Sequence, residues 1–249
     1  MYRREYETVE TSGVSKVEFW KRNPLGYFVS SMMAGMFVSL GGFLSMTAGG
    51  LLGDVLGAKL IVALLFSAAL SLVFMAGGER VTGNNLTLSA AAMCGKIRWS
   101  ETLQLWAFCW VGNFAGSWVT LGLYALSGAC TPATAAYFDA LAMAKVSLPV
   151  GELIIRGVPC NVCVCLAVWC AARMKAETGK LIMSVWCIMI FMVCGFEHSV
   201  ANMSIVGLAL TQGAVTLGQY VCNLFFVTVG NMVGGAFIVS YAYYLCQRK

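Results

Sequence analysis

Five long stretches of the chain carry no charged residue: 60–78, 103–138, 157–172, 181–196 and 199–247. A sixth, 25–58, carries one, Asp54. A helix needs about 20 predominantly apolar residues to cross a bilayer. The pattern therefore predicts an all-α, polytopic membrane protein with six spans, at about 25–48, 58–94, 102–126, 150–172, 180–210 and 219–246. The second and fifth are too long for one straight helix. Each is interrupted near its middle by charged and small residues, which predicts a break.

Composition agrees with this class. Hydrophobic residues make up 59% of the 249 and charged residues 11%, against about 25% charged in a soluble domain. The net charge of +5 is spread over loops rather than gathered on one face, so no nucleic-acid partner is expected. Residues 1–23 are polar and read as a cytoplasmic amphipathic segment ahead of a single channel domain at 24–249, not as a secretory leader. Twelve of the 16 basic residues fall on one side of the predicted spans, from Arg3 and Arg4 to Arg248 and Lys249. By the bias of Lys and Arg toward the cytoplasm, both termini are expected there, in a multi-pass protein of the cell inner membrane. Most of the 11 cysteines lie inside predicted spans, where a free thiol behaves as a small hydrophobe.

The two predicted breaks are related. Residues 77–85 read Gly-Gly-Glu-Arg-Val-Thr-Gly-Asn-Asn and residues 195–203 read Gly-Phe-Glu-His-Ser-Val-Ala-Asn-Met. An offset of 118 pairs Gly77 with Gly195, Glu79 with Glu197 and Asn84 with Asn202. The same offset superposes Val-Gly-Asn at 111–113 on Val-Gly-Asn at 229–231, and Gly116 on Gly234. The chain thus reads as two homologous halves, about 24–128 and 145–249, of three spans each. Three is odd, so the halves are expected to enter the membrane with opposite orientation, the sequence mark of a transport fold with its site near the midplane. Non-helical backbone at that depth survives only where it is packed in protein or lines a cavity. Half-helix N-termini turned toward such a cavity favour an anion. Glu79 and Glu197 are expected to accept hydrogen bonds from the freed N–H groups and hold the loops.

The ionisable and polar residues of the spans are the candidate chemistry. His198, the only histidine, follows Glu197 in the second break. Thr82 sits in the first break and can offer a hydroxyl to a passing ion. Lys145 can draw anions to the outer side. Asn161, two residues after Pro159, is either a pore residue or a hydrogen bond between helices. No catalytic group, metal site or cofactor is expected. The Cys160–Cys163 pair lacks any accompanying redox motif, and one histidine cannot give bis-histidine haem ligation within a chain.

These motifs resemble the formate/nitrite transporter family over nearly the whole chain, from Asn23 to the last span. The resemblance rests on Asn-Pro-Leu-Gly at 23–26 with Met-Ala-Gly at 33–35, on Lys145 followed by Gly157, Cys160 and Asn161, on the segment 195–203, and on Val-Thr-Val-Gly-Asn at 227–231. The nearest branch is the nitrite channels. The resemblance implies an aquaporin-like protomer in a homopentamer that passes nitrite, formate or hydrosulfide. It matches Thr82, Lys145, Asn161 and His198 to the polar pore residues, and Phe66, Leu70 and Phe191 to the outer constriction. Val164 matches part of the inner constriction. Residues 79–82 are Glu-Arg-Val-Thr where the family has Glu-Leu-Phe-Thr, so Arg80 and Val81 occupy the expected gate. An Arg80 pointing inward is a fixed charge at the constriction; one paired with Glu79 leaves selectivity ordinary.

An unpaired charge in apolar surroundings is heavily penalised. The expected mechanism therefore has the anion cross the apolar rings as its neutral acid, drawn in by Lys145 and given a proton by His198. A neutral-solute pore of the aquaporin type is the alternative, and the paired Asn-Pro-Ala motifs of that class are missing.

Overall fold

The computed structural model describes residues 2–247. Arg248 and Lys249, counted above among the cytoplasmic basic residues, lie outside the described residues. The chain is helical throughout, in the order α1 (Arg3–Arg22), α2 (Pro24–Leu52), α3 (Ala58–Ala76), α4 (Val81–Met93), α5 (Trp99–Leu126), α6 (Pro132–Val146), α7 (Val150–Arg173), α8 (Glu177–Cys194), α9 (Ser199–Thr211) and α10 (Leu217–Met232). A π-helical stretch, Val233–Ser240, and α11 (Tyr241–Gln247) complete it. Among the described residues, five helices are long and apolar enough to cross a membrane: α2, α3, α7, α8 and the run from α10 to the C-terminal end. The 28-residue α5 has the length, with more polar side chains along it.

Local chemistry explains where these helices begin and end. The Asn-Pro-Leu-Gly motif is a helix start. Asn23 is the N-cap of α2, its side chain accepting the Gly26 N–H at 2.9 Å, with Pro24 in the first turn where no N–H is needed. Thr131 and Pro132 start α6 in the same way, and Thr216 and Gln219 form a capping box on α10. Gly77 and Gly195, mates under the 118-residue offset, stop α3 and α8 in the left-handed region, at φ 81° and 74°. Side chains other than glycine rarely adopt that conformation.

The two halves pack alike. α2 lies on α5 and α3, as α7 lies on α10 and α8; α4 meets α5 as α9 meets α10. α3 and α8 join the halves. Close approach is written into the glycines. A Cβ at Gly116 would collide with the Met32 carbonyl of α2, and one at Gly234 with the Val158 carbonyl of α7. A further helix lies ahead of the first long helix of each half. α1 packs on α4, and α6, an element absent from the six-span reading, packs on α9. Each half thus carries a short helix ahead of its first span that covers its own half-helix. α1 is accordingly more than a cap: Tyr6, Val9 and Val17 are buried.

Candidate functional site

Residues 77–80 and 195–198 separate α3 from α4 and α8 from α9. The same set of bonds holds both. Glu79 N–H donates to the Ser30 carbonyl and Glu197 N–H to the Arg156 carbonyl, each at 3.1 Å. The first N–H of α4, from Val81, donates to Asn113 Oδ1 at 3.0 Å, and the first of α9, from Ser199, to Asn231 Oδ1 at 3.0 Å. Asn113 Nδ2 donates to the Ser31 and Glu79 carbonyls, both at 2.8 Å. Asn231 Nδ2 donates to the Gly157 and Glu197 carbonyls at 2.8 and 2.9 Å. An asparagine suits this task because one side chain both accepts and donates. The Val-Gly-Asn repeat therefore supplies the clamps of the breaks.

This corrects the expected role of Glu79 and Glu197. Their carboxylates do not take the freed backbone N–H groups; they take lysines. Lys16 of α1 reaches Glu79 Oε2 at 2.5 Å, and Tyr27 donates to the same oxygen at 3.1 Å. Lys145 of α6 reaches both oxygens of Glu197 at 3.0 and 2.9 Å, and Asn202 Nδ2 donates to Oε2 at 2.7 Å. Lys145 is thus an ion-paired residue, 15% exposed at the side chain, and not a free charge in a loop.

His198 is the N-cap of α9. Its Nδ1 accepts the Ala201 N–H at 3.0 Å, so the neutral ring carries its proton on Nε2. Nε2 faces Thr82 Oγ1 of α4 at 3.4 Å. The imidazole stacks on Phe191, with ring centroids 5.7 Å apart, and Phe191 meets Phe66 edge-on at 6.1 Å. His198, Thr82, Phe191 and Phe66 thus come together, all buried, and Leu70 is buried in the core that holds the two phenylalanines. Val81 and Val164 are buried in the same core. Asn161 Nδ2 donates to the Asn231 carbonyl at 2.6 Å, a bond between helices, while its Oδ1 is buried without a partner.

Two cavities reach the breaks. One, of about 190 Å³, has Phe191, His198, Lys145 and Glu197 in its wall, with Lys59 and Arg156. The other, of about 170 Å³, lies between α1, α3, α4 and α7 and has Lys16 and Arg80 in its wall. Lys59 and Arg156 were not singled out from the sequence; only the fold brings them into one cavity wall with Lys145.

A profile of the formate/nitrite transporter family matches residues 3–245. The chain belongs to the formate/nitrite transporter family. Among relatives of known name, a nitrite transporter of Salmonella typhimurium is 37% identical over 231 residues, covering 91% of this chain and 85% of that protein. A formate channel of Bacillus thuringiensis is 32% identical, covering 98% and 94%. Among solved structures, a channel described as an FNT family ion channel superposes with a TM-score of 0.93 at 33% identity, covering 98% of this chain and 99% of that one. A pentameric formate channel with formate bound gives 0.80 at 25% identity, covering 92% and 99%. The chain is therefore a multi-pass membrane transporter of the formate/nitrite transporter type and not an enzyme. Within that family framework, the two related breaks, their asparagine clamps and the buried His198–Thr82 contact mark the candidate conduction site.

Proposed function

We propose that the protein conducts small monovalent anions of weak acids, among them nitrite, formate and hydrosulfide, and that their passage is linked to a proton through His198. The observation that carries this reading is the position of His198: buried, with Nε2–H directed at Thr82, beside a cavity whose wall also holds Lys59, Lys145 and Arg156. Lys145 and Arg156 are paired with Glu197 and Glu152, so Lys59, which makes no ion pair among the described residues, is the charge that raises the local concentration of an anion. Beyond them Phe191, Phe66 and Leu70 are apolar. An anion stripped of water against such groups gains proton affinity, because burial disfavours the charged form. Crossing as the neutral acid avoids the cost of burying a charge.

His198 serves this step as a donor. In the neutral ring Nε2–H offers a hydrogen bond to the anion. To give that proton away the ring first takes one from the entry side at Nδ1, which releases the Ala201 N–H and costs about 1 kcal/mol for the lost cap. The imidazolium so formed is itself a buried charge, and the arriving anion pairs it until Nε2 hands over its proton and the ring is neutral again. Thr82 holds Nε2 in place between passages. In this reading Asn161 acts through Asn231 on the pore wall, and Val81 and Val164 form the inner constriction. The protein works as a homopentamer, as the formate channel named above does, in the cell inner membrane with both termini cytoplasmic.

Purified protein in liposomes, given nitrite or formate across an imposed pH gradient, is expected to show saturable uptake that steepens as the entry side is acidified. His198→Asn keeps a good N-cap residue and removes the titrating ring. It is expected to abolish the steepening while the protein remains folded. Uptake by this variant with an unchanged pH dependence would remove His198 from the mechanism.

A further inference from the structure

The 118-residue offset that relates the breaks also pairs Arg80 with His198. Both are N-caps of half-helices and both are nearly inaccessible, at 4% and 3%. Their chemistry differs. His198 accepts a backbone N–H and so caps its own helix. Arg80 has only donors, makes no side-chain cap and cannot satisfy its helix.

Nor does Arg80 find a partner elsewhere. Among the described residues its guanidinium makes no ion pair and no hydrogen bond, and Nε is buried without an acceptor. The neighbouring acid is taken: Glu79 holds Lys16 and Tyr27. The cavity that Arg80 lines includes Lys16, Ser12, Asn84 and Thr87 and no carboxylate. Two other lining residues keep a buried atom without a partner: Thr87 Oγ1, which can donate, and Asn84 Oδ1, which can only accept. A buried guanidinium with no counter-charge is strongly disfavoured, and its planar fork of donors matches a planar oxyanion.

We propose that this cavity, bounded by α1, the end of α3, the first break and α4, is a binding site for a small planar monovalent oxyanion, with Arg80 as its principal ligand and Thr87 as a second donor. The site lies beside the break opposite to that of His198 and on the side covered by α1. It binds the anion in its charged form. One half of the protein thus presents a fixed charge where the other presents a group that can exchange a proton. The consequence for conduction rests on the anion pathway proposed above; the binding itself does not.

Nitrate is the suitable probe. It is planar, monovalent and the anion of a strong acid, so it takes up no proton near neutral pH and reports on Arg80 without involving proton transfer at His198. Thermal unfolding and calorimetric titration of the purified full-length protein in detergent are expected to show saturable stabilisation by nitrate, beyond that of gluconate at equal ionic strength. Arg80→Leu is expected to weaken nitrate binding at least tenfold while raising the melting temperature without nitrate, because the unpaired charge is gone. Arg80→Lys retains weaker binding, since an ammonium is a single point charge. Thr87→Val weakens binding several-fold. Equal binding by wild type and Arg80→Leu, or no nitrate effect beyond gluconate in wild type, would overturn the site. Absence of pH-linked nitrite flux in the wild-type protein, with nitrate binding intact, would overturn the proposed function and leave this site standing.

Discussion

Asn231→Ala is expected to cost the protein about 2–6 kcal/mol, because two buried backbone groups, the Ser199 N–H and the Glu197 carbonyl, lose their partner at roughly 1–3 kcal/mol each. The Gly157 carbonyl also loses a bond, beside the one it makes within α7. These groups lie on α9, α7 and the second break, so one side chain holds three parts of the chain together. Water cannot replace the lost bonds cheaply, because Asn231 is 1% exposed. Natural domains are stable by only about 5–15 kcal/mol, so the variant should melt far below wild type in detergent and give a low folded yield. Asn113→Ala is expected to match it, since Asn113 makes the corresponding bonds to Val81, Ser31 and Glu79. Asn223→Ala is the comparison. Asn223 is also fully buried, but its side chain receives Asn202 Nδ2 at 2.8 Å and donates to the Lys145 carbonyl at 3.3 Å without holding a break. A melting temperature for Asn231→Ala no lower than that of Asn223→Ala would mean that the asparagine clamps do not hold the breaks.

The second large effect is expected at the Lys145–Glu197 pair. Removing one member of a buried ion pair leaves the other charge uncompensated and costs about 3–5 kcal/mol. The Glu197 side chain is only 4% exposed, so Lys145→Met should fall in this range. Lys16→Met should cost less, because the Lys16 and Glu79 side chains are 19% and 16% exposed, while each carboxylate keeps one donor, Tyr27 on Glu79 and Asn202 on Glu197. Adding Glu197→Gln to Lys145→Met removes the stranded charge and should recover a substantial part of the loss. The double variant also separates two roles of Lys145. If the lysine attracts anions in addition to holding α6 on the break, the stabilised double variant should still show reduced nitrite uptake at low nitrite concentration. Full recovery of uptake together with stability would confine Lys145 to a structural role.

Much of the architecture was legible because bilayer chemistry acts locally. Apolar stretches of the required length gave the membrane class, and the 118-residue offset tied the two breaks together before any contact was known. Gly77 and Gly195, the paired acids and the Val-Gly-Asn motifs all lay in that offset, yet their jobs did not. The asparagines were visible as a repeat and not as clamps, because a hydrogen bond from Asn231 to Ser199 joins residues 32 apart in the chain. α6 was missed as an element for a different reason. With 15 residues it is too short to read as a span, and its boundaries are set by Thr131 and Pro132 at one end.

Read from its residues alone, this chain is an all-helical membrane protein built of two related halves with two related breaks. Those properties follow from composition and periodicity, which each segment carries with it. Tertiary structure alone decided which charge meets which. Lys16 reaches Glu79 across 63 residues and Lys145 reaches Glu197 across 52, while Arg80, one residue from an acid, is left without one. A long side chain pairs with whatever the fold brings within about 3 Å of it, and neighbours in sequence have no priority once a helix turns them to different sides.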